Sequence, residues 1–114
     1  MSEFVRVARV SEVPPGTMRR VEVAGHPVCL INVEGTFYAI GDTCTHEEAS
    51  LSQGTLSGEV VVCPRHGARF HAKTGRVLSL PAVRSVPVYP VRVEGDDVMV
   101  SPEAQKPTGV PHRR

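Results

Sequence analysis

The chain has 114 residues, enough for one compact domain with a modest core. Its 13 Lys and Arg balance 12 Asp and Glu to a formal charge of +1, with no block of like charge before the extreme C-terminus, which argues against a nucleic-acid partner. Apolar runs are too short to cross a bilayer and the N-terminus lacks a charged-then-apolar signal pattern, so no membrane partner is expected and the expected location is the cytoplasm.

From the N-terminus, Phe4 to Val10 alternates apolar and polar and reads as a half-buried strand. Ser11 to Gly16 breaks it, with room for one helical turn capped by Ser11 before the prolines. Met18–Ala24 and Pro27–Val33 form two further strands joined at a Gly25-His26 corner, and Glu34-Gly35 turns into Thr36–Ile40. Cys29, inside Pro27-Val28-Cys29-Leu30-Ile31, reads as a small buried thiol, and His26 as a solvent-facing turn residue.

Glu47 to Ser57 is rich in small residues and reads as a connection with little regular structure. Glu59–Val62 and Ala68–His71 are short strands, with Lys73–Arg76 as a turn closing the loop between them. Leu78 to Pro87 reads as an extended return path, since Pro81 and Pro87 remove ladder donors. Val86–Val93 and Val98–Ser101, linked by Glu94–Asp97, return to the first strand and complete an all-β barrel or sandwich. Residues 102–114, with Pro102, Pro107 and Pro111, read as a flexible tail behind a single domain spanning 1–101.

Two short stretches carry the chemistry. Cys44-Thr45-His46 is followed, after sixteen residues, by Cys63-Pro64-Arg65-His66, so each supplies one thiolate and one imidazole. Soft sulfur ligands suit an iron–sulfur core, and a pair of imidazoles suits iron or zinc. A structural zinc site more often takes paired cysteines from one loop and paired histidines from a helix, although one four-ligand zinc ion stays open on spacing alone. An odd count of three cysteines disfavours a disulfide framework.

Cys44-Thr45-His46, then Cys63-Pro64-Arg65-His66-Gly67-Ala68-Arg69-Phe70 with Thr74-Gly75 behind it, closely resembles the small Rieske-type ferredoxins that serve ring-hydroxylating oxygenases, from the first strand to about Ser101. The resemblance implies a Rieske-like antiparallel β-sandwich or barrel with an inserted cluster-binding lobe at about 42–80. It also implies one 2Fe-2S cluster, with Cys44 and Cys63 on one iron and His46 and His66 on the other. The implied function is one-electron transfer from a flavin-containing reductase to a terminal iron oxygenase. With all four ligand positions filled by protein, no open coordination site remains for substrate, so the chain is expected to be a carrier and not an enzyme. Two alternatives stay open: the small Rieske-like subunit of a nitrite reductase, and a cluster-bearing redox sensor or structural metal-binding module.

Replacing two thiolates by neutral imidazoles makes the centre less negative and easier to reduce, by about 250 mV or roughly 6 kcal/mol between class limits. Rieske proteins of respiratory and photosynthetic cytochrome complexes resemble this motif but add a disulfide, a serine and a tyrosine around the cluster. Here the matching positions are Ala49 and Arg65, Ala68, and Phe70. With those hydrogen bonds missing, the expected midpoint is about −100 to −200 mV near neutrality, falling in the alkaline range as the imidazole ligands titrate. His71 reads as a surface residue, and Arg69, Lys73 and Arg76 as a possible positive rim opposed by Glu47 and Glu48.

Overall fold

The computed structural model describes residues 4–43, 49–64, 67–79 and 86–104. Among the described residues eleven strands run in chain order: β1 Val5–Arg9, β2 Met18–Val23, β3 His26–Val33, β4 Thr36–Gly41, β5 Thr55–Ser57, β6 Val60–Val62, β7 Arg69–His71, β8 Val77–Ser79, β9 Val88–Tyr89, β10 Val91–Glu94 and β11 Asp97–Val100. All pairings are antiparallel, in three sheets ordered β1-β11-β10, β2-β3-β4-β9 and β5-β6-β7-β8. The all-β antiparallel expectation therefore holds, and β10 and β11 do return to β1.

The middle sheet carries the fold because its central strand is buried on both faces. In β3, Cys29, Ile31 and Val33 join a core with Val61 and Phe70 from the third sheet and Cys63 and Ala68 from the connection between β6 and β7. The alternate residues Val28 and Leu30 join a second core with Ala8, Val98 and Val100 from the first sheet. Side chains alternate across a strand, so the unbroken apolar run of β3 is what a doubly covered strand requires. Neighbouring β4 divides likewise, Phe37 and Ala39 to one core and Ile40 to the other. The base closes where β1 lies beside β2 and β10 beside β4.

Several local expectations are corrected. In β1 the register shifts between Arg6 and Ala8, so Ala8 is buried while Val5 is left 42% exposed; a bulge breaks the simple alternation. The turn after β2 is Ala24-Gly25, both at positive φ, and His26 begins β3. Glu34-Gly35 has the same two-residue geometry, with the Asn32 side-chain oxygen accepting the Gly35 N–H at 2.7 Å. The helical turn is the 3-10 segment Val10–Glu12, whose start is set by the Glu12 carboxylate accepting the Arg9 N–H at 2.9 Å and not by Ser11. That bond, ahead of nearby arginines, holds the Glu12 carboxyl below its usual pKa.

Two short strands fall where none is expected: β5 in the Glu47–Ser57 connection, and β8 at the start of the extended return path. Each has only three residues and owes its conformation to a ladder partner, β6 and β7 respectively. The Lys73–Arg76 turn sits between β7 and β8, at the end of β7 away from Cys63. There it holds the returning chain, with Val86 N–H donating to Gly75 C=O at 2.8 Å. Residues 80–85 of the return path, Pro81 among them, and the expected tail from 105 onward lie outside the described residues.

Candidate metal centre

The second stretch is a tight connection built on β6 and β7. Val62 pairs with Arg69, and one step further the Cys63 N–H donates to the Ala68 carbonyl at 2.7 Å. Four residues join Cys63 to Ala68, and Gly67 takes a φ of 72°, a left-handed conformation that favours glycine. Cys63 is 2% exposed, in the core shared with β3.

The first stretch is tied off at its base in a similar way. β4 ends at Gly41, Thr43 bridges to Ser50, and the Leu51 N–H donates to the Asp42 carbonyl at 2.6 Å. Cys44, His46, Glu47 and Glu48 lie between those anchors and, with Arg65 and His66, outside the described residues. Of the four candidate ligands, Cys63 is therefore the one the described residues place.

The two bases are held against each other. The strand leaving the first stretch, β5, pairs with the strand entering the second, Thr55 opposite Val62. Just before it, Gly54 approaches so closely that a Cβ there would lie 1.9 Å from the Val62 carbonyl oxygen and 3.1 Å from Pro64 Cδ. Leu51 is buried in the core that holds Cys63, with Ala49 packed against it. Two short loops, each carrying a thiol and an imidazole and rooted on one shared seam, fit a two-iron group spanning them. Ala68 and Phe70 are fully buried beside Cys63, and neither side chain offers a hydrogen-bond donor.

Sequence reasoning missed Gly54 and assigned no role to Asp42, whose side chain reaches both Ser50 and Ser52. An acid just before a ligand loop and two serines just after it is the pattern that could have exposed the contact. Nothing in the sequence marks Gly54 out from other glycines, because its need for hydrogen in place of Cβ arises from a partner strand.

His71 lies at the end of β7 remote from Cys63. Its Nε2 is 3.4 Å from Glu59 Oε1 and its Nδ1 accepts the Lys73 N–H at 3.2 Å. Lys73 also pairs with Glu59, at 3.1 Å, which raises its pKa, and it stands 5.8 Å from the Tyr38 ring centroid. Lys73 is thus engaged between the third sheet and β4, away from any rim around Cys63. His26 is exposed, as expected.

Cys29 is fully buried, its Sγ 3.8 Å from Met18 Sδ, and burial pushes the thiol well above its usual pKa. Only the thiolate is nucleophilic. In the folded protein Cys29 should therefore resist iodoacetamide until denaturant is added, as read by peptide mass mapping; prompt native-state labelling would contradict its burial.

A model of the Rieske [2Fe-2S] domain matches residues 3–90. The chain is 45% identical over 98 residues to the biphenyl dioxygenase ferredoxin subunit of Pseudomonas sp. (strain KKS102), covering 85% of this chain and 90% of that protein. Among solved structures, it superposes on a chain from a complex of reduced oxygenase and oxidized ferredoxin in carbazole 1,9a-dioxygenase with a TM-score of 0.84 and 42% identity, covering 90% of this chain and 95% of the other. A putative NADH-dependent nitrite reductase small subunit from Mycobacterium tuberculosis is also similar, at TM-score 0.81 and 27% identity, covering 91% and 98%.

Proposed function

The chain belongs to the Rieske [2Fe-2S] domain family, and from that premise we propose that Cys44 and Cys63 hold one iron of its cluster and His46 and His66 the other, in a carrier that takes single electrons from a flavin-containing reductase and passes them to a terminal iron oxygenase. The cluster supplies one reversible electron when bound. The chain's own residues root both ligand loops on one seam, exclude water around Cys63 and leave Ala68 and Phe70 without donors toward it. It is an electron-transfer component and not a catalytic one.

The near full-length likeness to a dioxygenase ferredoxin subunit carries this reading. The experiment mixes the holoprotein with the reductase and oxygenase components of a biphenyl-type dioxygenase and follows NADH-driven product formation. Turnover that requires this protein is expected. A nitrite reductase small subunit is the second reading, supported by its shared fold, and stable co-purification with a large nitrite reductase subunit would favour it.

Donor-free packing at Ala68 and Phe70 leaves the reduced, more negative state less stabilised. Protein-film voltammetry should give a midpoint of about −100 to −200 mV, level near neutral pH and declining in alkali as reduction raises the pKa of the imidazole ligands. A midpoint above zero would contradict the donor-poor setting, and one independent of pH throughout the alkaline range would contradict paired histidine ligation.

A further inference from the structure

Asp42 is a buried charged residue, 2% exposed, two positions before Cys44. Each of its polar groups is engaged. Its N–H donates to the Pro27 carbonyl at 3.2 Å and its carbonyl accepts the Leu51 N–H at 2.6 Å. Oδ1 accepts the Ser52 N–H at 2.8 Å, and Oδ2 accepts the Ser50 hydroxyl and faces Arg20 Nε at 3.5 Å. Ser50 Oγ is also 2.8 Å from Ser52 Oγ.

These contacts join the residue entering the first ligand loop to the residues leaving it. We propose that Asp42 is the positioning residue of the first ligand loop: its carboxylate clamps the loop shut through Ser50 and Ser52, and its buried charge, countered by Arg20, lowers the cluster's reduction potential. Arg20 is 54% exposed and also lies 3.8 Å from Glu22, so it offsets the Asp42 charge only in part.

The two roles separate by substitution. Asp42→Asn keeps the shape and an oxygen for Ser52 but removes the charge, so the midpoint should rise while iron release to a chelator stays near the wild-type rate. Arg20→Gln removes the counter-charge, so the midpoint should shift the opposite way, downward. Asp42→Ala loses the clamp, and iron release should accelerate about tenfold or more; Ser50→Ala, which removes one donor, should accelerate it less. If Asp42→Ala does not yield folded protein, the Ser50→Ala release rate and the two midpoints decide.

Unmoved midpoints in both Asp42→Asn and Arg20→Gln would overturn the electrostatic role. Wild-type release rates in Ser50→Ala and in any folded Asp42→Ala would overturn the clamp. The inference rests on the cluster assignment above, which the iron and sulfide content of wild-type holoprotein tests separately.

Discussion

Replacing Cys63 with alanine should abolish cluster assembly, taking iron from two per chain to near zero and removing the visible absorption of the purified protein. Cys63 is 2% exposed at the closed end of the β6–β7 connection, and the proposed ligand set has only one other thiolate, Cys44. A buried alanine cannot donate to iron, and no other described cysteine is placed to replace it: Cys29 lies within β3, its thiol held protonated by burial. Cys29→Ala is the matched control and should retain full iron. The Cys63 variant should also unfold at lower temperature than the holoprotein, because a group bound only by the folded state stabilises it. Full iron content in Cys63→Ala would remove Cys63 from the ligand set.

The second large effect is expected at Gly54. An added Cβ would sit 1.9 Å from the Val62 carbonyl oxygen; Cβ is fixed to the Gly54 backbone and the oxygen is backbone, so no flexible side chain can swing aside. Gly54→Ala must push the exit of the first ligand loop away from the entrance of the second. A loss of about 3 kcal/mol in denaturant unfolding is expected, the upper part of the range for overpacking, together with faster iron release. Gly58→Ala provides the comparison. Its φ is 61° but nothing lies within 4 Å of the added carbon, so only backbone strain of about 1 kcal/mol is expected. Equal effects at the two positions would contradict a steric seam between the loops.

These two sites show what the sequence could and could not disclose. The proposed ligand residues stand out in the sequence because metal chemistry needs particular side chains at short spacings, and the central strand was legible because its apolar run is unbroken through Val28-Cys29-Leu30-Ile31. Thr55–Ser57 and Val77–Ser79 were not, since three residues carry no measurable period and their strand geometry comes from β6 and β7. The bulge in β1 escapes a reading by simple alternation for a similar reason: register is decided against β11, far along the chain. Gly54 and Asp42 act through contacts made in the fold, with Val62 and with Ser50 and Ser52, so their roles appear only once the strands are paired.

The most direct test of mixed ligation joins iron and acid-labile sulfide analysis to electron paramagnetic resonance of the dithionite-reduced protein carrying nitrogen-15 histidine. Equal iron and sulfide, with hyperfine coupling to two histidine nitrogens that disappears one at a time in His46→Ala and His66→Ala wherever a cluster is still formed, is the expected result. A single zinc ion, or a 2Fe-2S signal with no histidine coupling, would contradict it.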